Sequence, residues 1–277
     1  MILVDMSQIM MASIMMQMHM SKKNEPEEEM VRHMILNSLR MYRTRFLSEY
    51  GELVLCYDSR HYWRRDYFPE YKHSRRKGRE SDTKDWDIIF GCLNTIKDEI
   101  KEHLPYKSVE VYGAEADDII ATLCSEYAEE IMILSGDKDF IQLQRFPNVK
   151  QYSPITKKMV NGENADVYVK EHVFRGDTSD GIPNVLSPDN TFVDGLRQKP
   201  LSKKKIQMMV AGNFPNDETK RNFQRNKKLI DLKESPDELF TKILDEWHCA
   251  PEGDRSKLLN YFTQKRLRNL VESIGEF

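Results

Sequence analysis

No two of the four cysteines in this 277-residue chain lie close together. Cys56, Cys92, Cys124 and Cys249 form no CxxC clip, which excludes a local zinc or redox motif and fits reduced core thiols. The seven histidines lack zinc spacing. No apolar run reaches the length of a membrane span, so no membrane association is expected. The apolar start MILVDMSQIMMASIMMQMHM has no basic leader and carries Asp5, so it does not read as a signal peptide. A surplus of positive charge is missing too. The net charge of −3 counts against nucleic-acid binding unless cations are concentrated locally. There is no internal repeat and no low-complexity segment.

What is present is a globular composition, 31% charged and 39% hydrophobic, with length for one large or two unequal domains. The first two-thirds alternate between apolar runs and helical patterns. Residues 1–5 read as a strand, followed by a Met-rich buried helix to about Met20. Met30, Met34, Ile35, Leu39, Tyr42 and Phe46 recur at helical spacing, and Gly51 is the stop. Leu53–Tyr57, Lys107–Val111, Ile131–Leu134 and Val149–Tyr152 read as further strands, with helices over 83–103 and 114–127. Such alternation predicts an α/β fold with a mostly parallel central sheet flanked by helices. After about Gly176 a Lys-rich, mainly helical region with weak strand signals begins. The expected division is residues 1–175 and a smaller helical domain, 176–277.

Ligands of an open parallel sheet bind beyond the carboxyl ends of its strands. Acids fall there repeatedly: Asp5, Asp58, then Glu115, Asp117 and Asp118 in GAEADD, Asp137 and Asp139 in SGDKDF, and Asp177 and Asp180 in GDTSDG. Taken singly, most have a bland explanation as helix caps or turn residues. Together they would repel. One like-charge pair at ~4 Å costs roughly 4 kcal/mol at an effective dielectric of 20, against a domain stability of about 5–15 kcal/mol. Divalent cations relieve this. With oxygen donors and no His or Cys companion, the expectation is two magnesium ions, with manganese as substitute. Two such ions can activate a water and stabilise both oxygens of a phosphodiester displacement.

The stretch from Arg60 to Arg79, RHYWRRDYFPEYKHSRRKGR, holds eight Lys or Arg against Asp66 and Glu70. Its bland reading is a solvated charged loop. The aromatics Tyr62, Trp63, Tyr67, Phe68 and Tyr71 interleave with the cations, which suits tracking phosphates and stacking on bases. Arg64, Arg65, Tyr71, Lys72, Arg76 and Lys77 are the candidate contacts here. A second basic set, Arg197 with Lys203, Lys204 and Lys205, and then Lys220–Lys228, would hold a duplex backbone or be ordinary surface lysines.

The order Asp5, YDSRHYWRRDYFPEYKHSRR, GAEADD, SGDKDF and GDTSDGIPNV resembles the 5′-nuclease or flap endonuclease superfamily. VRHMILNSLR, YWRRDYF, FPNVKQYSP and SIGEF resemble, within it, the ribonucleases H of T-even bacteriophages. The resemblance implies a PIN-like core and a helical arch at about 60–82. It implies one metal group of Asp5, Asp58, Glu115, Asp117 and Asp118 and a second of Asp137, Asp139, Asp177 and Asp180. Tyr71, Lys72 and Arg75 match a YKxxR motif at the arch base, where Lys72 would contact the scissile phosphate, joined by Arg79. Asp117 and Asp139 would be indispensable for cleavage.

The implied substrates are DNA and RNA–DNA duplexes with 5′ ends or flaps, and the implied role is removal of RNA primers and flaps in phage replication. A monomer in the host cytoplasm is expected. The implied partners are a single-stranded-DNA-binding protein and a sliding clamp, although no N-terminal tail precedes the first strand to dock a clamp. The segment LSPDNTFVDGLRQKPLSKKKI departs from the family's GIG-type duplex-binding hairpin. Gly195 and Lys203–Lys205 stand where another loop would do related work. Two other readings stay open: a PIN-like single-strand ribonuclease, and a non-catalytic nucleic-acid-binding factor. The long basic segment speaks against the first and the complete acidic set against the second.

Overall fold

The computed structural model describes residues 1–162, 164–250 and 254–277. The chain begins with β1 (Ile2–Asp5), α1 (Met6–Ser21), α2 (Glu28–Tyr50) and β2 (Leu53–Cys56). Next come α3 (Trp63–Tyr67), α4 (His73–Glu80), α5 (Trp86–His103), β3 (Lys107–Val109), α6 (Ala116–Glu126) and β4 (Ile131–Leu134). A 3-10 helix (Lys138–Arg145), β5 (Val149–Ser153), β6 (Lys158–Val160) and α7 (Ala165–Arg175) follow. The rest is helical: α8 (Lys203–Val210), α9 (Asp217–Ile230), α10 (Asp237–Cys249), α11 (Leu258–Gln264) and α12 (Arg268–Glu272), with short 3-10 turns between. The weak strand signals after Gly176 produce no strand among the described residues.

The strands form one sheet in the order β3-β2-β1-β4-β5-β6. All neighbours pair in parallel except β6, an antiparallel edge strand on β5. The α/β expectation is met, and β6 is the strand the periodicity did not reveal. Its sequence KMV is too short to alternate, and Met159 is exposed. The sheet is covered on both faces. Ile2 and Val4 enter one core with α1, α2 and α5, while Leu3 enters the other with α6 and α10. Leu258, Tyr261, Phe262 and Phe277 pack into the first core, and Arg43 Nη1 donates to the Glu276 carbonyl at 2.9 Å. The C-terminal helices thus return to the sheet.

The Met-rich segment is a helix with one buried face. Met6, Met10 and Met18 are buried, and Met16 and Met20 are exposed. The strand order reverses at the β1–β4 boundary, because β2 and β3 extend to one side and β4 and β5 to the other. That switch point is where a parallel sheet opens a crevice, and Asp5 stands at its lip.

Candidate metal centre and nucleic-acid interface

The acids at the crevice cap their helices and face a common cavity at the same time. Asp5 closes β1 and N-caps α1: its Oδ1 accepts from Gln8 N–H at 3.1 Å and its Oδ2 from Ser135 Oγ at 2.9 Å. Asp58 reaches across to α6, where its Oδ1 accepts from Ala116 N–H at 2.7 Å, while its Oδ2 takes the Ser7 hydroxyl at 2.7 Å. Glu115 caps α6, and Asp117 stands in its first turn. Asp137 caps the 3-10 helix by accepting from Asp139 N–H at 2.9 Å. With Asp180, these side chains line a cavity of about 580 Å³. Lys72, Arg75 and Arg79 line it too, and Met11, Met15, Phe90 and Ile155 supply its apolar wall.

The charges are poorly compensated. Burial, then the Asp58 and Asp137 charges, push the Asp5 carboxyl up to about 7, against the hydrogen bonds from Gln8 and Ser135. Burial, Asp137 and Glu115 push Asp117 well above the usual carboxylate range, with Lys72 opposing. Lys72 Nζ donates to Glu115 Oε1 at 2.6 Å and lies 3.7 Å from Asp180 Oδ2. Arg75 Nη2 donates to Asp180 Oδ1 at 2.5 Å. A set of carboxylates holding one another protonated is what a bound dication relieves, so the donor set fits divalent metal ions.

A second centre adjoins the first. Asp139, His172 and Asp177 bring ligand atoms within 4.8 Å of one another. His172 Nε2 lies 3.6 Å from Asp139 Oδ1 and 3.5 Å from Asp177 Oδ2. Burial holds the Asp139 carboxyl up at about 7, helped by Asp137, Asp177 and Asp180 and opposed by His172. Asp177 goes the other way: burial is outweighed by His172 and Ser179, and its pKa lies below the usual range. The oxygen-only expectation is corrected here, because an imidazole stands among the acids. Zinc-type spacing of histidines does not reveal it, because its partners lie on other elements. The usable signal was one histidine in the last turn of α7, five residues before Asp177. The grouping changes as well. Asp137 and Asp180 face the larger cavity with the first set, which leaves Asp139 and Asp177 with His172.

Three expected site residues are not where the sequence suggested. Asp118 is fully buried and turned away from the cavity. Its two oxygens accept both terminal nitrogens of Arg64 at 2.9 Å, and Oδ1 also accepts Ser235 Oγ at 2.7 Å. It braces α6 and is no metal ligand. Arg64, expected on nucleic acid, is 2% exposed. It donates to Glu115 Oε2 at 2.9 Å and, through Nε, to the Leu229 carbonyl at 3.0 Å. A guanidinium with three internal partners cannot reach a phosphate. Tyr71 is buried too, its hydroxyl 2.8 Å from Asp180 Oδ2 and 3.1 Å from Glu115 Oε2. The base-stacking reading of the aromatics is likewise corrected. Phe68, Tyr71 and Tyr62 pack with α7 and α9, Trp63 packs in the second core, and Tyr67 alone of the five is exposed. The aromatics anchor the arch, and of its cations Arg60, Arg75, Arg76 and Lys77 are exposed while Arg64 is interior.

Arg76 and Lys77 are exposed on α4, with no side chain of that helix buried. Arg65 is half-buried over the Tyr62 ring at 5.5 Å. The Arg79 guanidinium lies 5.3 Å from the Phe90 ring at the cavity edge. Lys203, Lys204 and Lys205 are exposed at the N-terminus of α8, which Ser202 caps, far along the chain from the arch.

Residues 1–174 match the family described as 5′-3′ exonuclease, N-terminal resolvase-like domain. The chain belongs to this 5′-3′ exonuclease family. Residues 163–277 match the T4 RNase H C-terminal family. The chain is 33% identical to the ribonuclease H of Enterobacteria phage T4, over 99% of this chain and 95% of that one. It is 28% identical to the flap endonuclease Xni of Shewanella sp. (strain MR-4), over 44% of this chain and 48% of the relative. The bacteriophage T5 flap endonuclease, solved with DNA and metal ions, superposes with a TM-score of 0.61. That match covers 89% of this chain and 98% of the other at 16% identity, and at that identity it speaks for the fold. This member of the 5′-3′ exonuclease family is a nuclease, and nucleic acid is its substrate class. No helix among the described residues is long and apolar enough to cross a membrane.

Proposed function

We propose that the protein is a magnesium-dependent 5′-to-3′ exonuclease and flap endonuclease acting on RNA–DNA and DNA duplexes. The observation that carries the reading is the two-sided cavity: Asp5, Asp58, Glu115, Asp117, Asp137 and Asp180 meet Lys72, Arg75 and Arg79 in about 580 Å³. A non-catalytic binder gains nothing from repelling its phosphate ligand.

The first set of acids, without Asp118, would hold one ion, and Asp139, His172 and Asp177 the other. Two bound dications would supply Lewis acidity and water activation at the phosphodiester. The chain's own residues do the rest. Lys72 and Arg75, released from Glu115 and Asp180 as positive charge enters the site, orient the scissile phosphate and balance charge developing on it. Arg79 extends this cationic wall towards α4. Arg76, Lys77 and Arg65 draw in the 5′ strand, and Lys203–Lys205 hold the duplex backbone in a sequence-independent way. Residues 1–175 then act as the nuclease domain and 176–277 as the duplex-binding part. The biological role that suits these substrates is removal of RNA primers and 5′ flaps during phage DNA replication. The protein would work there as a monomer in the host cytoplasm, beside a single-stranded-DNA-binding protein and a sliding clamp.

The test is a metal-dependent assay on 5′-labelled nicked, flapped, RNA-primed and plain single-stranded substrates. Short 5′ products from the duplex substrates with magnesium support the reading. Cleavage confined to single-stranded RNA, or none, overturns it.

A further inference from the structure

The Asp139–His172–Asp177 group differs from the larger cavity in one chemical respect, its nitrogen donor. The Nε2 of His172 is shielded from solvent and has no hydrogen-bond partner. It points between two carboxylate oxygens at 3.5 and 3.6 Å, beyond the range of a good hydrogen bond. The carboxylates are already oriented. Asp177 Oδ1 accepts from Ser179 N–H at 2.7 Å, Ser179 Oγ at 2.7 Å and Asp180 N–H at 3.2 Å, which leaves Oδ2 for the imidazole side. The Tyr168 ring lies 5.6 Å from the imidazole ring.

Donors about 2.1 Å from one ion stand about 3.0 Å apart at a right angle and about 3.4 Å apart at the tetrahedral angle. The two separations from His172 are close to the second value, and all three ligand atoms lie within 4.8 Å of one another.

We propose that His172 is a ligand of the ion held by Asp139 and Asp177, so that this position prefers a first-row transition dication to magnesium. The inference rests on reading the acids as metal centres and refines it. Magnesium favours oxygen donors and keeps its waters, whereas an imidazole raises affinity along the manganese-to-zinc series. The all-carboxylate cavity and the imidazole position are then two sites of different selectivity in one crevice.

The test uses the full-length, metal-stripped protein and measures binding directly. Manganese, cobalt and magnesium are titrated by calorimetry, and the cobalt form is followed by its visible absorption. The wild type should show two classes of manganese site. His172→Gln should weaken one class at least tenfold for manganese and cobalt, change magnesium binding less than threefold, and alter the cobalt spectrum. His172→Asp should move the selectivity of that class towards magnesium. Melting of the metal-free variants checks that each folds. Unchanged manganese-to-magnesium ratios in both variants overturn the inference. Tighter binding of both ions to His172→Gln also overturns it, since the imidazole would then be a countercharge that metal must displace. Absence of any divalent binding to the folded wild type would instead sink the reading of the acids themselves.

Discussion

The Arg64 guanidinium holds the Asp118 carboxylate with Nη1 and Nη2 at 2.9 Å each, and with Nη1 it also holds Glu115 at 2.9 Å. Both partners of the fork are buried, at 2% and 0% exposure. The pair therefore sets the first turn of α6, from which Glu115 and Asp117 face the cavity. Removing one partner strands the other charge in a dry interior, which costs about 3–5 kcal/mol. Arg64→Met should lower unfolding stability by that amount in urea, and Asp118→Asn by less, because the amide oxygen can still accept. A loss below about 1 kcal/mol for Arg64→Met, the range of an exposed pair, would contradict this account.

The pH dependence of the metal-free protein has a definite sign. Asp5 and Asp139 carry folded-state pKa values raised to about 7, and Asp117 is raised well above the usual carboxylate range. A carboxyl raised on folding stabilises fully below its unfolded value, and that contribution is lost as pH rises through the folded value. His172 is raised despite burial, through Asp177 and Asp139, and contributes in the same direction. Asp177 and Asp118, held low, give a constant contribution above about pH 5. In chelator the melting temperature should fall steadily from about pH 5 to 8. With saturating manganese the slope should flatten or reverse. A metal-free melting temperature that rises over this window would contradict the assignment of strain to these acids.

Asp117→Asn separates stability from function. Burial and its acidic neighbours make the Asp117 charge costly in the metal-free fold. The neutral amide should raise the chelator-treated stability at pH 8 above that of the wild type. It should also reduce cleavage at least a hundredfold. A variant that cleaves like the wild type removes Asp117 from the site.

Much of this arrangement could be read in the residues. The acids at strand ends follow from short apolar runs such as MILVD and LVLCYD, because the parallel order delivers each carboxyl end to one edge. What could not be read is which way a side chain turns. Asp117 and Asp118 are adjacent on a helix, about 100° apart, so one faces the cavity and the other Arg64. Arg64 and Arg65 have the same local sequence context, and only packing against α9 decides that the first is interior. His172 contacts Asp139 across 33 residues of chain, a relationship that no local spacing encodes.

Lys72 tests the division between chemistry and binding. Its ammonium neutralises Glu115 and Asp180 from a buried position, which favours the charged form strongly enough to keep it cationic throughout the working pH range. Lys72→Ala should reduce kcat by about 10²–10³, the scale of one lost electrostatic donor at a transition state, with KM changed less than fivefold. Arg76→Ala and Lys77→Ala on exposed α4 should do the reverse, raising KM and reducing the salt dependence of binding. If Lys72→Ala acts on KM alone, its role is capture of the strand.

Gly181 links the two halves of the cavity. It has φ +73°, and a Cβ there would sit 3.1 Å from the Glu70 carbonyl oxygen and 3.6 Å from Lys72 N. The adjacent Asp180 carbonyl accepts from that same Lys72 N–H at 2.7 Å, so the turn carrying Asp180 and the base of the arch are in direct backbone contact. Gly181→Ala adds a left-handed penalty of about 1–2 kcal/mol for an L-residue and forces the two backbones apart. Because Lys72 and Asp180 face each other across this contact, separation should reduce kcat by more than the stability loss explains. Gly78→Ala is the control, since a Cβ there meets nothing within 4 Å. On helix α4 it should add about 0.5–1 kcal/mol of helix stability without moving the cavity. The expected pattern is a loss of turnover in folded Gly181→Ala and near-normal turnover in Gly78→Ala. Equal effects in both would mean that arch rigidity, and not the Gly181 contact, sets the rate.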